Sequence, residues 1–179
     1  FQESYSVLDK NLLLVDIGGT NIRYAYSNIG DCSFVSENKA ELESLNDFDN
    51  LMSELLANSV VKNIVFSVAG PKVNNSIKMT NRNFQFDADA IRKRFNLESC
   101  HLLNDWESIG YSIKTFSEND FDDFKEGIPF NDNFLVIGPG TGLGASVISG
   151  NNVIATEIGN TNLGLSALKS LLKINSDEF

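Results

Sequence analysis

Apolar residues crowd Leu12–Val15, meet an acid at Asp16, and resume over Ile22–Ser27 after the turn Gly-Gly-Thr-Asn. Two short apolar runs around a glycine-rich turn predict a hairpin, with strands over Asn11–Asp16 and Ile22–Ser27. A third strand is expected over Cys32–Ser36. Leu45, Phe48, Leu51, Met52, Leu55 and Leu56 recur at helical spacing and predict a helix over Leu45–Leu56. Val61–Pro71 reads as a buried strand closed by Gly-Pro, and Asn74–Asp87 as an extended polar segment. A helix is expected from Asp87, with Ile91 and Phe95 apolar and Arg94 among its basic residues. "CHLLND" predicts a short strand that stops at Asn104–Asp105, followed by a helix over Trp106–Ile113.

The pattern then changes. Ser117–Asn133 is acidic and contains Gly-Ile-Pro, so it reads as a solvated connection. Phe134–Gly150 repeats the opening device: apolar strand, glycine-rich turn, apolar strand. A further strand is expected in Asn151–Asn160, and a short helix over Ser166–Leu172. Strands alternating with helices imply an α/β class in which helices pack on mixed sheets. The implied division is a small α/β domain over 1–115, and the beginning of a larger one over 116–179.

Composition narrows the partners. Of 179 residues, 42% are hydrophobic, which supplies a proper core. A net charge of −10 argues against a phosphate-backbone or anionic-membrane surface, since those are met by clustered Lys and Arg. It leaves room for a nucleotide held by backbone N–H groups and a divalent cation. No run of eighteen apolar residues marks a membrane span, and Leu12–Val15 is too short for a secretory core. The expected location is the cytoplasm. The chain begins with Phe1 rather than Met, which reads as processing or trimming. Cys32 and Cys100 form no ligand pair and are expected to be reduced, mostly buried thiols.

The two turns carry the candidate chemistry. Gly18 and Gly19, lacking Cβ atoms, can take positive φ and let a ligand approach the backbone. Thr20 and Asn21 add side-chain donors, and successive N–H groups in such a turn make an anion-binding concavity. Asp16 would repel a phosphate unless Mg²⁺ lies between them, an ion that commonly takes one carboxylate plus phosphate oxygens. Taken alone, the turn reads equally well as a hairpin whose Asp caps itself. The second turn, Gly138-Pro139-Gly140-Thr141-Gly142-Leu143-Gly144, spends four glycines where a hairpin needs one or two. It lacks the Gly-Lys-Ser/Thr ending of a Walker A loop, and a strand rather than a helix follows it. Two such turns across a cleft could hold one polyphosphate. Asp105 reads either as a catalytic carboxylate at a strand end or as the N-cap of the next helix. His101 reads as structural.

"VDIGGTNIRYA", "AGP…MTN", "LLND" and "GPGTGLGAS", in this order, resemble the bacterial glucokinase family within the actin-like ATPase superfamily of sugar kinases. The resemblance runs from Leu12 to about Leu163. It implies an actin-like (ribonuclease H-like) ATPase fold, with ATP and a hexose, glucose foremost, in a cleft between two domains. By that resemblance Asp16, Gly18, Gly19, Thr20 and Asn21 form the first phosphate motif, with Mg²⁺ at Asp16. Gly138, Gly140, Thr141 and Gly142 belong to the second. Asn104 and Asp105 grip the sugar, Asp105 as general base. Glu157 and Asn160 stand at a sugar-binding turn, and Thr80 and Asn81 on the opposite wall.

Two departures from the family pattern stand out. The family's Glu-Gly-Gly-His turn is here Glu157-Ile158-Gly159-Asn160, which bears on sugar choice. Family members also continue well beyond the point where Phe179 falls, so the second domain is expected to be incomplete. Apolar surface around Val147–Leu172 would then favour self-association, with a homodimer as its simplest form. Two functions follow: an ATP-dependent hexose kinase, or a non-catalytic sugar- or nucleotide-binding module on the same fold.

Overall fold

A computed structural model describes residues 9–57, 59–125, 127–128, 131–139 and 143–156. The helix expected over Ser166–Leu172 lies outside them.

Alternation at period two organises the central sheet. β1 (Leu12–Ile17) and β4 (Asn63–Val68) each alternate between half-buried and buried positions, because successive side chains of a strand point to opposite faces. β1 pairs antiparallel with β2 (Asn21–Ser27) on one side and parallel with β4 on the other. β3 (Val35–Glu41) adds to β2, and β8 (Ser99–Asn104) adds parallel to β4. The order is β3-β2-β1-β4-β8. The sheet is mixed, as the alternation of strands and helices implies.

One face of this sheet is the core. Leu13, Ile17, Ile64, Phe66 and Val68 are fully excluded from solvent, each side chain contributing about 1.5–3 kcal/mol on burial. Helix α1 (Leu45–Ala57) covers them with Phe48 and Met52, and Phe48 meets the rings of Phe66 at 5.9 Å and Phe86 at 5.1 Å. Ser44 and Asp47 exchange hydrogen bonds at the start of α1, a reciprocal cap. Helix α2 (Ala88–Arg94) starts where expected, with the Asp87 carboxylate accepting from Ala90 N–H at 2.8 Å. Its last turn carries Arg92, Lys93 and Arg94, which complement the dipole.

The third strand begins later than Cys32–Ser36. Asp31 accepts from both the N–H and the hydroxyl of Ser33, and Ser27 donates to the Ser33 carbonyl, so residues 31–33 close as a turn. The polar run that follows forms β3 because an edge strand tolerates solvent on its outer positions. Cys32 is exposed and Cys100 half-buried, so only the second matches the expectation of buried thiols.

The segment expected only as extended folds into a three-stranded antiparallel sheet, β5 (Lys72–Val73), β6 (Ser76–Lys78) and β7 (Gln85–Asp87), around buried Ile77 and Phe86. The repeated device forms a second antiparallel sheet, β9 (Asn133–Pro139), β10 (Leu143–Ser149) and β11 (Asn152–Thr156). Helix α3 (Asp105–Ser112) joins β8 and packs on this second sheet. Gly110 permits the approach: a Cβ there would lie 2.5 Å from Val153 Cγ1 and 2.8 Å from Ser146 Oγ. Residues 117–125 are exposed wherever their burial is described, as an acidic connection requires.

Candidate active site

Three parallel strands bring their carboxyl ends to one edge. Ile17, Val68 and Asn104 stand in a single row across β1, β4 and β8. Gly18, Ala69 and Asp105 come next in the three chains. Strand spacing puts Asp105 about 10 Å from the first glycine turn. This is the edge at which open α/β sheets receive ligands.

Asn104 caps α3 rather than Asp105. Its Oδ1 accepts from the N–H groups of Trp106 (2.9 Å) and Glu107 (3.3 Å). Glu107 reaches back to accept from Asn104 N–H at 3.1 Å, completing a capping box. Asn104 Nδ2 donates to the Gly70 carbonyl at 2.9 Å. With 3% exposure, Asn104 has both ends of its amide engaged inside the protein. Glu107 also accepts from Lys72 Nζ through both carboxylate oxygens, at 3.1 Å each, tying β5 to α3. The spacing Asn104-x-x-Glu107 is the sequence signal for this box, and the partnership with Lys72 has none.

Because Asn104 takes the cap, Asp105 becomes the first residue of the helix. Its Oδ1 accepts from Trp106 N–H at 3.0 Å. Burial pushes the Asp105 carboxyl above the usual carboxylate range, and the negative charge of Asp16 adds to the rise. The Trp106 N–H works in the opposite direction without overcoming burial.

Asp16 faces Arg23 across the β1–β2 hairpin, Oδ2 to guanidinium 3.3 Å, with both side chains well exposed. At the hairpin tip, Gly18 N–H donates to the Asn21 carbonyl at 2.9 Å, and Asn21 Nδ2 donates to Thr20 Oγ1 at 2.8 Å. Neither Gly18 nor Gly19 takes the positive φ that their type allows. A Cβ at Gly18 would make only ordinary contact, and at Gly19 it would meet nothing within 4 Å. The fold itself requires neither glycine, so what they preserve is open space above the turn.

The second turn behaves differently. Gly138 and Gly144 are paired across β9 and β10, and the indole of Trp106 lies on both, so closely that a Cβ at either position would fall within the ring. Gly140, Thr141 and Gly142 lie outside the described residues, as do Glu157 and Asn160. Thr80 and Asn81 are exposed on the loop after β6. That loop is anchored by buried Met79, whose N–H donates to the Phe84 carbonyl at 2.9 Å, and by Arg82, which donates to the Leu42 carbonyl. The role of Arg82 had no sequence signal.

A cavity of about 350 Å³ covers the half-exposed face of the central sheet, lined by Leu14, Asp16, Val65, Ser67, Leu103 and Ser108. Its lining is mostly apolar, chemistry better suited to packed protein than to a polyol. Among the described residues no three His, Cys, Asp or Glu side chains gather as a metal cage. A single carboxylate beside an open, N–H-rich turn does fit Mg²⁺ brought with a phosphate, since that ion takes few protein ligands.

The fold built on this mixed five-stranded sheet is one shared with solved sugar kinases. A glucokinase structure from an Antarctic psychrotroph superposes with a TM-score of 0.68 at 23% identity, covering 90% of this chain and 55% of that one. The Balamuthia mandrillaris glucokinase, crystallised in complex with glucose, superposes at 0.67 with 20% identity, over 96% and 56% of the two chains. The family profile described as Glucokinase matches residues 13–171. The chain belongs to the glucokinase family. It is 31% identical over 147 residues to the glucokinase of Campylobacter jejuni subsp. doylei (75% of this chain, 41% of that protein). It is 32% identical over 150 residues to that of Colwellia psychrerythraea (78% and 44%). The chain therefore spans less than half the length of these curated relatives.

Proposed function

We propose that this sequence carries the acceptor side of an ATP-dependent hexose kinase, with glucose the foremost acceptor and glucose 6-phosphate the product. The observation that carries the reading is the row Ile17–Val68–Asn104, which sets a carboxylate of raised proton affinity beside an open glycine turn. A sugar hydroxyl is a poor nucleophile until a base takes its proton, and a base binds that proton best when its own affinity approaches the working pH. Asp105 is that base.

Asn104 keeps one Nδ2 hydrogen for a neighbouring hydroxyl, since an amide has two, and its other contacts hold Asp105 in place. Glu157, Asn160, Thr80 and Asn81 complete the sugar's polar surroundings by family resemblance. Gly18, Gly19, Thr20 and Asn21, with Gly138, Gly140, Thr141 and Gly142, receive the phosphates. Asp16 would hold Mg²⁺, directly or through water, and the ion would neutralise phosphate oxygens during transfer. A cytoplasmic location and a homodimer belong to the same reading. Among the described residues no helix is long and apolar enough to cross a membrane.

The test is hexose-dependent release of ADP from ATP, with Asp105→Asn as control, alongside the melting temperature with and without glucose. Turnover that Asp105→Asn abolishes supports the kinase. A glucose-raised melting temperature without turnover favours the binding module. Silence in both measurements overturns the reading.

A further inference from the structure

We infer that Trp106 is a positioning residue which couples the general base to the second glycine hairpin. The inference rests on the kinase reading above. Trp106 reaches both parts of the site with different atoms. Its backbone N–H is shared by Asn104 Oδ1 at 2.9 Å and Asp105 Oδ1 at 3.0 Å, so it fixes the carboxylate that would take the proton. Its indole lies on the paired glycines Gly138 and Gly144, the two positions that bracket the second turn.

The contact is built rather than incidental. Two facing glycines expose bare backbone, and neither has room for a methyl group beneath the ring. A flat aromatic ring fills such a surface in one orientation, whereas an aliphatic side chain would leave gaps that forfeit dispersion contacts. A displacement of Gly138 or Gly144 would therefore carry the indole with it, and Trp106 adjoins Asp105 in the helix. Misplacement of a reacting group by about 1 Å costs about a hundredfold in rate, so the coupling needs only small movements.

Trp106 is the only tryptophan of the chain, so tryptophan emission reports on this residue alone. The experiment titrates the chain with Mg²⁺-ADP and Mg²⁺-ATP, following tryptophan emission and, in parallel, heat of binding by calorimetry. The expected result is a saturable emission change that tracks the heat. Heat without an emission change overturns the coupling and leaves the kinase reading standing. Absence of heat overturns both.

Rate measurements supply the second arm, on protein that turns over. Trp106→Leu is expected to lower kcat about tenfold to a hundredfold with sugar affinity unchanged, and Trp106→Phe to restore most of it. Equal losses in both variants, or a loss confined to sugar affinity, would refute a positioning role. Melting curves of each variant separate this from simple unfolding.

Discussion

Asn104 and Gly70 are joined by one hydrogen bond, Nδ2 to carbonyl oxygen at 2.9 Å, between two buried residues. It ties the end of β8 to the end of β4 at the row where the site begins. Asn104→Ala removes that donor and the helix cap together. The cap alone is worth about 1 kcal/mol, and a stranded buried carbonyl adds about 1–3 kcal/mol. Urea unfolding is expected to show a loss of about 2–4 kcal/mol. Asn104→Asp keeps a capping oxygen but has no donor for the Gly70 carbonyl, so it too is expected to destabilise.

As a half-buried carboxylate, Asp105 costs the fold some stability near neutral pH. Its folded proton affinity is raised by burial, so just above the ordinary carboxylate range the folded chain binds more protons than the unfolded one. Stability contributed by this group therefore falls as pH rises through that window and is flat above it. Asp105→Asn keeps an oxygen for Trp106 N–H and removes the buried charge. The variant is expected to melt higher than wild type at neutral pH, with the difference shrinking in acid. In wild type, kcat/KM should fall on the acid side with a midpoint above that of an ordinary carboxylate.

Gly18→Ala and Gly19→Ala are expected to change unfolding free energy by less than about 0.5 kcal/mol, because a methyl group meets no crowding at either position. Both should nevertheless weaken nucleotide binding, measured by calorimetry. Gly70→Ala is the contrast. Its methyl would collide with the Lys78 carbonyl, and a loss of about 2 kcal/mol or more is expected from such overpacking.

Lys72 and Glu107 form a largely enclosed ion pair, the lysine 28% and the glutamate 10% exposed at the side chain. Lys72→Met leaves the glutamate without its cation. A fully buried broken pair costs about 3–5 kcal/mol; the partly wet lysine lowers the expectation to about 2 kcal/mol. A double-mutant cycle with Glu107→Gln measures the coupling by urea unfolding.

Thiol labelling should separate the cysteines by rate. Burial pushes the Cys100 thiol up to about 12, so little thiolate is available near neutral pH. Cys32 is exposed. Iodoacetamide is expected to modify Cys32 first, with Cys100 reacting only on unfolding, as mass spectrometry of peptides would show.

Much of this architecture is legible in the residues because local signals agree with tertiary packing. The apolar alternation of β1, the helical spacing over Leu45–Leu56, and Asp87 as a cap all reappear within a residue or so. β3 was less legible, since an edge strand carries no buried stripe to announce itself. β5, β6 and β7 are too short for a period to register. In the site, sequence motifs marked the strand ends but not who does which job. The cap falls on Asn104 instead of Asp105, and the indole of Trp106 lies on Gly138 and Gly144. The cap had a local signal in the spacing Asn104-x-x-Glu107, whereas the indole contact depends on what lies across the fold, and neighbouring residues in the chain carry no trace of it.

The strand order has a consequence for how the molecule assembles. β1 and β2 are joined by a few residues, a hairpin closure that takes microseconds. β4 must be brought to β1, and β8 to β4, by closing long segments of chain, and such distant pairings are slow because entropy is lost before contacts form. Destabilising changes in the hairpin should then slow refolding, while changes in β8 should chiefly hasten unfolding. By that order the strand end at Asp16 is expected to form before the strand end that leads into Asp105.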